Sequence, residues 1–547
     1  MAHYDHVPKI AQYDSWEEAR QQFEWDIPDQ YNIATDLVSS HDDRRGTLAL
    51  IFEDLDGSVQ KYTFYDLDVL SNQAANLLTD YGIERGDRVA VNLPNLPETV
   101  VTHLAVYKLG GVVVPLSKLF GPDALEYRLR DSGSRMFVGD ANGLDKITPL
   151  LDTLPDLDVL ASVEQDDRSD VSLRERLEDY DRSFDTVDTS KDDDALLVYT
   201  SGTTGDPKGV LHGHRYVAGY LPGFEMWNNL QIGPDQMYWS PGDWAWVGSL
   251  VAHLYSAWHY GKPYVSRLKD DGFDPHWGFE TIEKFGVTNA FIPPTALKMM
   301  MGLGDAVEEY DTSSLQVISV GGEPCSAELV RWVEGTLDAT LVDLFGQTEA
   351  NMLIANSPTW FDIKPGSMGK PVPGSTVAIL DEDGNVADVG TMGEVALRKP
   401  APVMFKRYWK KPDKTASTFI DDWMLTGDMA VKDEDGYFWY KSRKDDVIIT
   451  AGYRVGPAEV EDTLIEHPAV GDVAVVGVDD EVRGEVIKAF VKLLDGEVPS
   501  DELREDISSF VKNRLAKYEY PREIEFVEEF PTTTTGKVQR RKLRGGE

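Results

Sequence analysis

Residues 199–210, Tyr199-Thr200-Ser201-Gly202-Thr203-Thr204-Gly205-Asp206-Pro207-Lys208-Gly209-Val210, constrain this chain more than any other stretch. They follow Ala195-Leu196-Leu197-Val198, a short apolar run that reads as a buried strand. Three glycines free the backbone to curl around a ligand, hydroxyls line the loop, and Lys208 supplies positive charge. A loop of this kind suits a polyphosphate held by backbone N–H groups and Ser/Thr hydroxyls. Its spacing is not that of a P-loop NTPase, because two residues separate Gly205 from Lys208 and Gly209 follows the lysine. An ordinary surface loop shares the composition but not this order behind a strand.

A chain of 547 residues exceeds one hydrophobic core, so two or more domains are expected. The formal net charge of −42 is spread along the sequence rather than gathered in a tail. A scattered excess of acid reads as a solvated surface, a device of salt-adapted proteins, and points to a halophilic source and a cytoplasmic location. It argues against nucleic acid or an anionic membrane as partner. Cys325 is the single cysteine, so no intramolecular disulfide forms. The most apolar window, Val100 to Leu116, contains His103 and Lys108 and reads as core rather than a membrane span. No basic, apolar leader is evident at the N-terminus, and a homo-oligomer is compatible with the sequence.

Residues up to about 440 alternate apolar strands with helical patterns, as at 87–93, 111–116 and 315–320, which argues for parallel-rich α/β sheets. From about 367 to 440 short strands and turns predict a small barrel-like β subdomain. Strands at 472–478 and 488–493, then a helix capped by Ser500 with Leu503, Ile507, Phe510, Val511 and Leu515 on one face, predict a small α+β domain. The expected division is a large N-terminal domain at 1–442, a charged hinge at 443–446 and a mobile C-terminal domain at 447–547.

Three further segments bear on chemistry. Gly321-Gly322-Glu323-Pro324 follows a strand and lies at its C-terminal end, where open α/β sheets bind ligands; taken alone it is an ordinary turn. Asp343-Leu344-Phe345-Gly346-Gln347-Thr348-Glu349 sets a hydroxyl beside a carboxylate, a pair able to hold Mg2+ against a phosphate. Near the C-terminus Lys537, Arg540, Arg541, Lys542 and Arg544 reverse the local field of an acidic chain, which an anionic ligand explains better than a solvated tail.

Together these segments resemble the adenylate-forming superfamily of acyl-CoA synthetases, luciferases and peptide-synthetase adenylation domains. They fall in its order from about 45 to 544. The resemblance implies ATP contacts from Thr200, Ser201, Gly202, Thr203, Thr204, Gly205 and Lys208. It implies an adenine site at Gly322, Glu323, Pro324, Asp343, Leu344 and Phe345, with Gly346 and Gln347 beside it. Thr348 would touch the α-phosphate and Glu349 would ligate Mg2+. Leu425-Thr426-Gly427-Asp428 matches the family's Thr-Gly-Asp, so Asp428 and Arg443 would grip the ribose; Asp445 would be the hinge. Ser442 stands where the family usually has glycine, and Ala451 where it often has serine. Arg454 and Lys537 would complete the catalytic set.

Within the superfamily the chain is similar to medium-chain acyl-CoA synthetases, notably at 363–369, 482–490 and 518–522. That similarity implies CoA contacts from Ala451, Gly452, Tyr453, Arg483, Tyr518, Tyr520 and Arg522. Acetyl-specific relatives carry tryptophan where this chain has Gly346, which removes a wall of the acyl pocket. Trp239, Trp244 and Trp246, with Val247 and Gly248, lie in the segment that lines that pocket in relatives and refill it or pack as core. The implied reaction joins a small-molecule carboxylic acid to CoA at the expense of ATP, with Mg2+, through an acyl-adenylate. A short- to medium-chain fatty acid is expected, with acetyl, propionyl or aryl acids and a luciferase-like oxygenase as alternatives. The small domain would rotate about Asp445 between the two half-reactions.

Overall fold

The computed structural model describes residues 9–200, 207–269, 272–323, 325–450, 453–480, 483–494, 496–515, 519–532 and 538–545. They form an α/β protein of two compact units. The first holds Met1–Pro365, Gly369–Thr376 and Arg398–Phe419; the second holds Gly366–Met368, Val377–Leu397 and Ile420–Glu547.

Two sheets build the first unit. One has eight strands and is parallel from Asp194–Thr200 through Val112–Pro115, Arg88–Asn92, Met136–Gly139 and Val159–Ser162 to Val171–Ser172. Continuous Val/Leu/Ala runs suit such strands, which are covered on both faces. At its other end Lys208–Gly213 turns back antiparallel on Asp194–Thr200, and Arg407–Tyr408 pairs antiparallel with Lys208–Gly213. The second sheet has nine strands; Asn289–Phe291, Val317–Gly321 and Thr340–Gln347 run parallel, and Ala350–Ala355 returns antiparallel.

The Val100–Leu116 window forms the helix Pro97–Lys108 and the strand Val112–Pro115 of this core. Its one buried cation is accounted for. Lys108 Nζ donates to Asp68 Oδ1 at 2.7 Å and to Asn72 Oδ1 at 2.6 Å, while burial pulls the ammonium's pKa down. No helix among the described residues is long and apolar enough to cross a membrane.

The helix Arg215–Trp227 follows directly on Lys208–Gly213. Gly219 lets it approach the chain closely, because a Cβ there would lie 2.5 Å from the backbone nitrogen of Val403. Near its C-terminal end Glu225 is buried, accepting from Tyr260 Oη at 2.6 Å and from the Ala11 backbone N–H at 2.8 Å.

In the second unit Val377–Leu380, Gly393–Arg398, Trp423–Lys432, Phe419–Ile420 and Phe438–Arg443 form an antiparallel half-barrel. The change of texture read between 367 and 440 is therefore only partly barrel. The segment between Arg398 and Phe419 leaves it, because Arg407–Tyr408 adds to the edge of the eight-stranded sheet. A second five-stranded sheet contains Val470–Asp480 against Gly484–Leu493. The helix Asp501–Lys512 is capped as read: the Ser500 hydroxyl accepts from the Leu503 backbone N–H at 3.1 Å, and Ile507 and Val511 are buried.

Burial raises the Glu225 carboxyl from 4.5 to about 7. A raised acid stabilises the fold fully below about pH 4.5, and that contribution is lost as pH climbs through 7. Glu225→Gln keeps an acceptor for Tyr260 and removes the titration. Denaturant midpoints from pH 4 to 8 are expected to fall less steeply in the variant, by about 3 kcal/mol at most; parallel curves would show that Glu225 does not titrate on unfolding.

Candidate active site

Thr200 and Lys208 are cross-strand partners at the mouth of the hairpin, so the strands bracket the predicted phosphate loop. Ser201, Gly202, Thr203, Thr204 and Gly205 themselves lie outside the described residues. Lys208 Nζ sits 5.4 Å from the centre of the Tyr408 ring. Tyr408 Oη in turn donates to Glu349 Oε1 at 2.6 Å, both residues being buried. The Phe405 backbone N–H donates to the Glu349 carbonyl at 2.7 Å, and Tyr216 Oη donates to the Thr348 carbonyl at 2.9 Å. Lys208 and Glu349 thereby meet on Tyr408, and Tyr216 holds the adjacent Thr348.

Sequence reasoning passed over Tyr408, Tyr216 and His212. His212 is fully buried and stacks on Tyr216 at 3.6 Å between ring centres; burial holds the imidazole well below its usual pKa. The strand period offered a signal for it, since residues 208, 210 and 212 share one face. Tyr408 carried no local signal, because its partner is 59 residues away.

Gly322 adopts φ +84°, a left-handed turn that suits glycine, directly after Val317–Gly321. Glu323 is anchored by the Thr295 hydroxyl at 2.7 Å; Pro324 lies outside the described residues. Val320 and Gly321 pair in register with Asp343 and Leu344, so the two predicted adenine segments are neighbours. Burial pushes the Asp343 carboxyl up to about 7, so near neutrality it both donates and accepts hydrogen bonds.

Between Phe345 and Gln347 the hairpin register shifts. A Cβ on Gly346 would lie 2.6 Å from the Met352 backbone nitrogen and 2.8 Å from Asn351 Cα. The hairpin itself therefore demands glycine here. The space that a tryptophan side chain would need at its base is filled by the backbone of the returning strand.

The predicted acyl-pocket aromatics do not form one wall. Trp239 belongs to the core under the nine-stranded sheet, its ring 5.6 Å from that of Trp277. Trp246 packs edge-on to Phe120 at 6.1 Å, against the core of the other sheet. Trp244 is buried beside Tyr264, and its backbone N–H is held by Asn95 Oδ1 at 2.9 Å. Val247 is buried, and Gly248 opens a π-helical stretch, Gly248–Tyr255, where a Cβ would meet the Phe291 ring at 3.2 Å. Such π-helical insertions are frequent at functional sites.

In the second unit Asp428 and Arg443 are cross-strand partners, and Arg443 Nη1 meets Asp428 Oδ1 at 2.9 Å. The two predicted ribose residues thus orient one another. Asp445 lies in a single helical turn, and its carbonyl accepts from Arg544 at 3.0 Å. Arg540 is tied to both Glu461 oxygens at 2.7 and 2.8 Å, and Arg544 to Asp446 at 3.0 Å. Part of the C-terminal basic cluster is thus committed to acids of its own unit, a correction to reading the whole cluster as a ligand surface. Tyr520 lies between Lys512 and Arg522, with the Arg522 guanidinium 4.8 Å from the ring centre, and the Arg483 backbone N–H bonds to Asp480 Oδ1 at 2.8 Å. Ala451, Gly452, Tyr518 and Lys537 lie outside the described residues, as do the side chains of Tyr453 and Arg454.

Among the described residues no three His, Cys, Asp or Glu side chains gather into a metal cage. A single carboxylate beside a hydroxyl, Glu349 with Thr348, still fits Mg2+, which completes its shell with phosphates and water.

This architecture is that of adenylate-forming enzymes. It superposes on the crystal structure of the anthranilate CoA ligase AuaEII in complex with anthranoyl-AMP with a TM-score of 0.86 and 30% identity, covering 95% of this chain and 98% of that one. For ATP-bound MatB from Rhodopseudomonas palustris the TM-score is 0.84 at 27% identity, with 94% and 98% covered. The chain belongs to the AMP-binding enzyme family: residues 39–409 match that family and 459–537 its C-terminal domain. It is 38% identical over 542 residues to the acetyl-coenzyme A synthetase of Bacillus subtilis (strain 168), covering 97% of this chain and 93% of that one. It is 35% identical over 536 residues to the mitochondrial acyl-coenzyme A synthetase ACSM4 of Homo sapiens, covering 95% and 91%.

Tyr408→Phe removes one hydrogen bond from Glu349 and keeps the ring under Lys208. Calorimetry is expected to show MgATP binding weakened about tenfold, from a loss of about 1.5 kcal/mol at a charged acceptor. Unchanged affinity would mean that Glu349 is positioned without the phenol.

Proposed function

We propose that this enzyme is an AMP-forming acid–thiol ligase of the acyl-CoA synthetase type, taking a short- to medium-chain fatty acid, ATP and CoA to acyl-CoA, AMP and pyrophosphate. The observation that carries the reading is the convergence of Lys208 and Glu349 on Tyr408 beside the ends of the phosphate loop, with the adjacent Thr348 held through its carbonyl by Tyr216. The names of the relatives, acetyl- and acyl-coenzyme A synthetases, supply the class of reaction.

In the first half-reaction the acid's carboxylate attacks the α-phosphorus of ATP and pyrophosphate leaves. Two anions must meet, so the barrier is electrostatic and positional. Lys208, Arg454 and Lys537 neutralise the phosphates, with Lys537 bridging the carboxylate and the α-phosphate. Bound Mg2+, held by Glu349, would add Lewis-acid screening of the same charge. Asp428 and Arg443 hold the ribose, and the Gly322–Glu323 turn with Asp343–Phe345 encloses the adenine. In the second half-reaction the CoA thiol attacks the mixed anhydride and AMP leaves; Gly452, Arg483, Tyr520 and Arg522 serve CoA. Acetate and aryl acids form the alternative substrate reading, because the similar proteins include an acetyl-coenzyme A synthetase and an anthranilate CoA ligase. The net charge of −42 argues for assay at high salt.

AMP release measured with straight-chain acids from C2 to C10, with benzoate alongside, in molar KCl, is expected to require ATP, Mg2+ and CoA and to peak between C3 and C8. Lys537→Ala is expected to lower the rate by about 10²–10³. A peak at acetate or benzoate would move the substrate to the alternative. Acid-dependent AMP release indifferent to CoA would sink the thioester assignment.

A further inference from the structure

The first unit contains a cavity of about 1290 Å³ that none of the candidate nucleotide residues lines. Seven lysines and arginines face it against one carboxylate, Asp192, in a chain whose net charge is −42. So strong a local reversal of field costs stability by like-charge repulsion and calls for an anion. Some of this charge is balanced nearby: Arg215 pairs with Asp192 at 2.5 Å, Lys191 with Asp29 at 2.8 Å, and Arg407 and Lys406 share Asp194. Three acids thus serve four cations. Lys399 lies 3.5 Å from the centre of the Phe419 ring, and Lys410 donates to the Asp131 carbonyl at 2.7 Å; neither forms an ion pair with a carboxylate among the described residues.

The rest of the lining is mostly apolar. Phe405 and Phe419 are stacked within 5° of parallel with centres 6.1 Å apart, and Trp25 also lines the cavity. The ammonium groups of Lys399 and Lys410, which no carboxylate among the described residues balances, suit a phosphate, and parallel rings suit a planar base. The volume accommodates a nucleotide-sized ligand.

We propose that this cavity is a second anion site, for a phosphorylated ligand with a planar aromatic body, of the nucleoside diphosphate class. It shares a wall with the adenylation chemistry without belonging to it. Tyr408 lines the cavity and bonds Glu349 on its other side, and the Lys411 ammonium, also on the wall, donates to the Pro207 carbonyl at 3.2 Å. The cavity's occupant would therefore rest on the same segment that orients the candidate metal carboxylate.

Equilibrium dialysis of ADP against the full chain tests it. The expected result is two equivalents bound per chain, falling to one in the charge-reversed pair Lys399→Glu/Lys410→Glu. In Lys399→Gln/Lys410→Gln the second equivalent should weaken at least tenfold. The first equivalent, retained in both variants, reports that the chain is folded, and acid-dependent AMP release should be unchanged in both. One equivalent in the unaltered protein, or two in the charge-reversed pair, overturns the proposal. Neither outcome bears on the acyl-CoA synthetase reading, which stands or falls on CoA-dependent AMP release.

Discussion

The antiparallel addition of Arg407–Tyr408 to Lys208–Gly213 holds the candidate site together. Two residues of strand pairing put the Tyr408 ring under Lys208 and its hydroxyl on Glu349. Without that pairing Glu349 would be a buried carboxylate lacking its phenol partner, a costly state. The same pairing explains why the segment between Arg398 and Phe419 leaves the half-barrel that flanks it in sequence. Edge strands invite addition because their N–H and C=O groups lack partners. Here a distant segment of the same chain supplies them.

Glycine recurs where backbone approaches backbone. Gly219 admits Val403 to the helix Arg215–Trp227, and Gly346 admits Asn351 and Met352 to the hairpin. At Gly346 this bears on substrate size. The absence of a side chain is a requirement of the hairpin, so acyl-chain length is not read from this position alone. The tryptophans tell a similar story, since Trp239, Trp244 and Trp246 are neighbours in sequence yet pack in separate places. Residues two to seven apart, running from a strand end into a loop, pack in different places, and composition alone does not say which.

Charge required the same care. The C-terminal basic cluster read as a ligand surface, but Arg540 and Arg544 are held by Glu461 and Asp446. The cations at 399–411 lie dispersed among prolines and aromatics, and their convergence on one cavity with Lys191 and Arg215 arises only from folding.

The sequence by itself determined the α/β character, the strand before the phosphate loop, the Ser500-capped helix and the family, because those follow from periods of two and 3.6 residues and from motifs whose parts are contiguous. It also paired Thr348 with Glu349 and Asp428 with Arg443 as functional neighbours. Only the tertiary structure decided that Tyr408 joins Lys208 to Glu349, that Gly346 is filled by its own hairpin, and that residues 398–419 belong with the first unit. Each of these depends on contacts between segments distant in sequence, and such contacts are fixed by packing and strand pairing that no local pattern encodes.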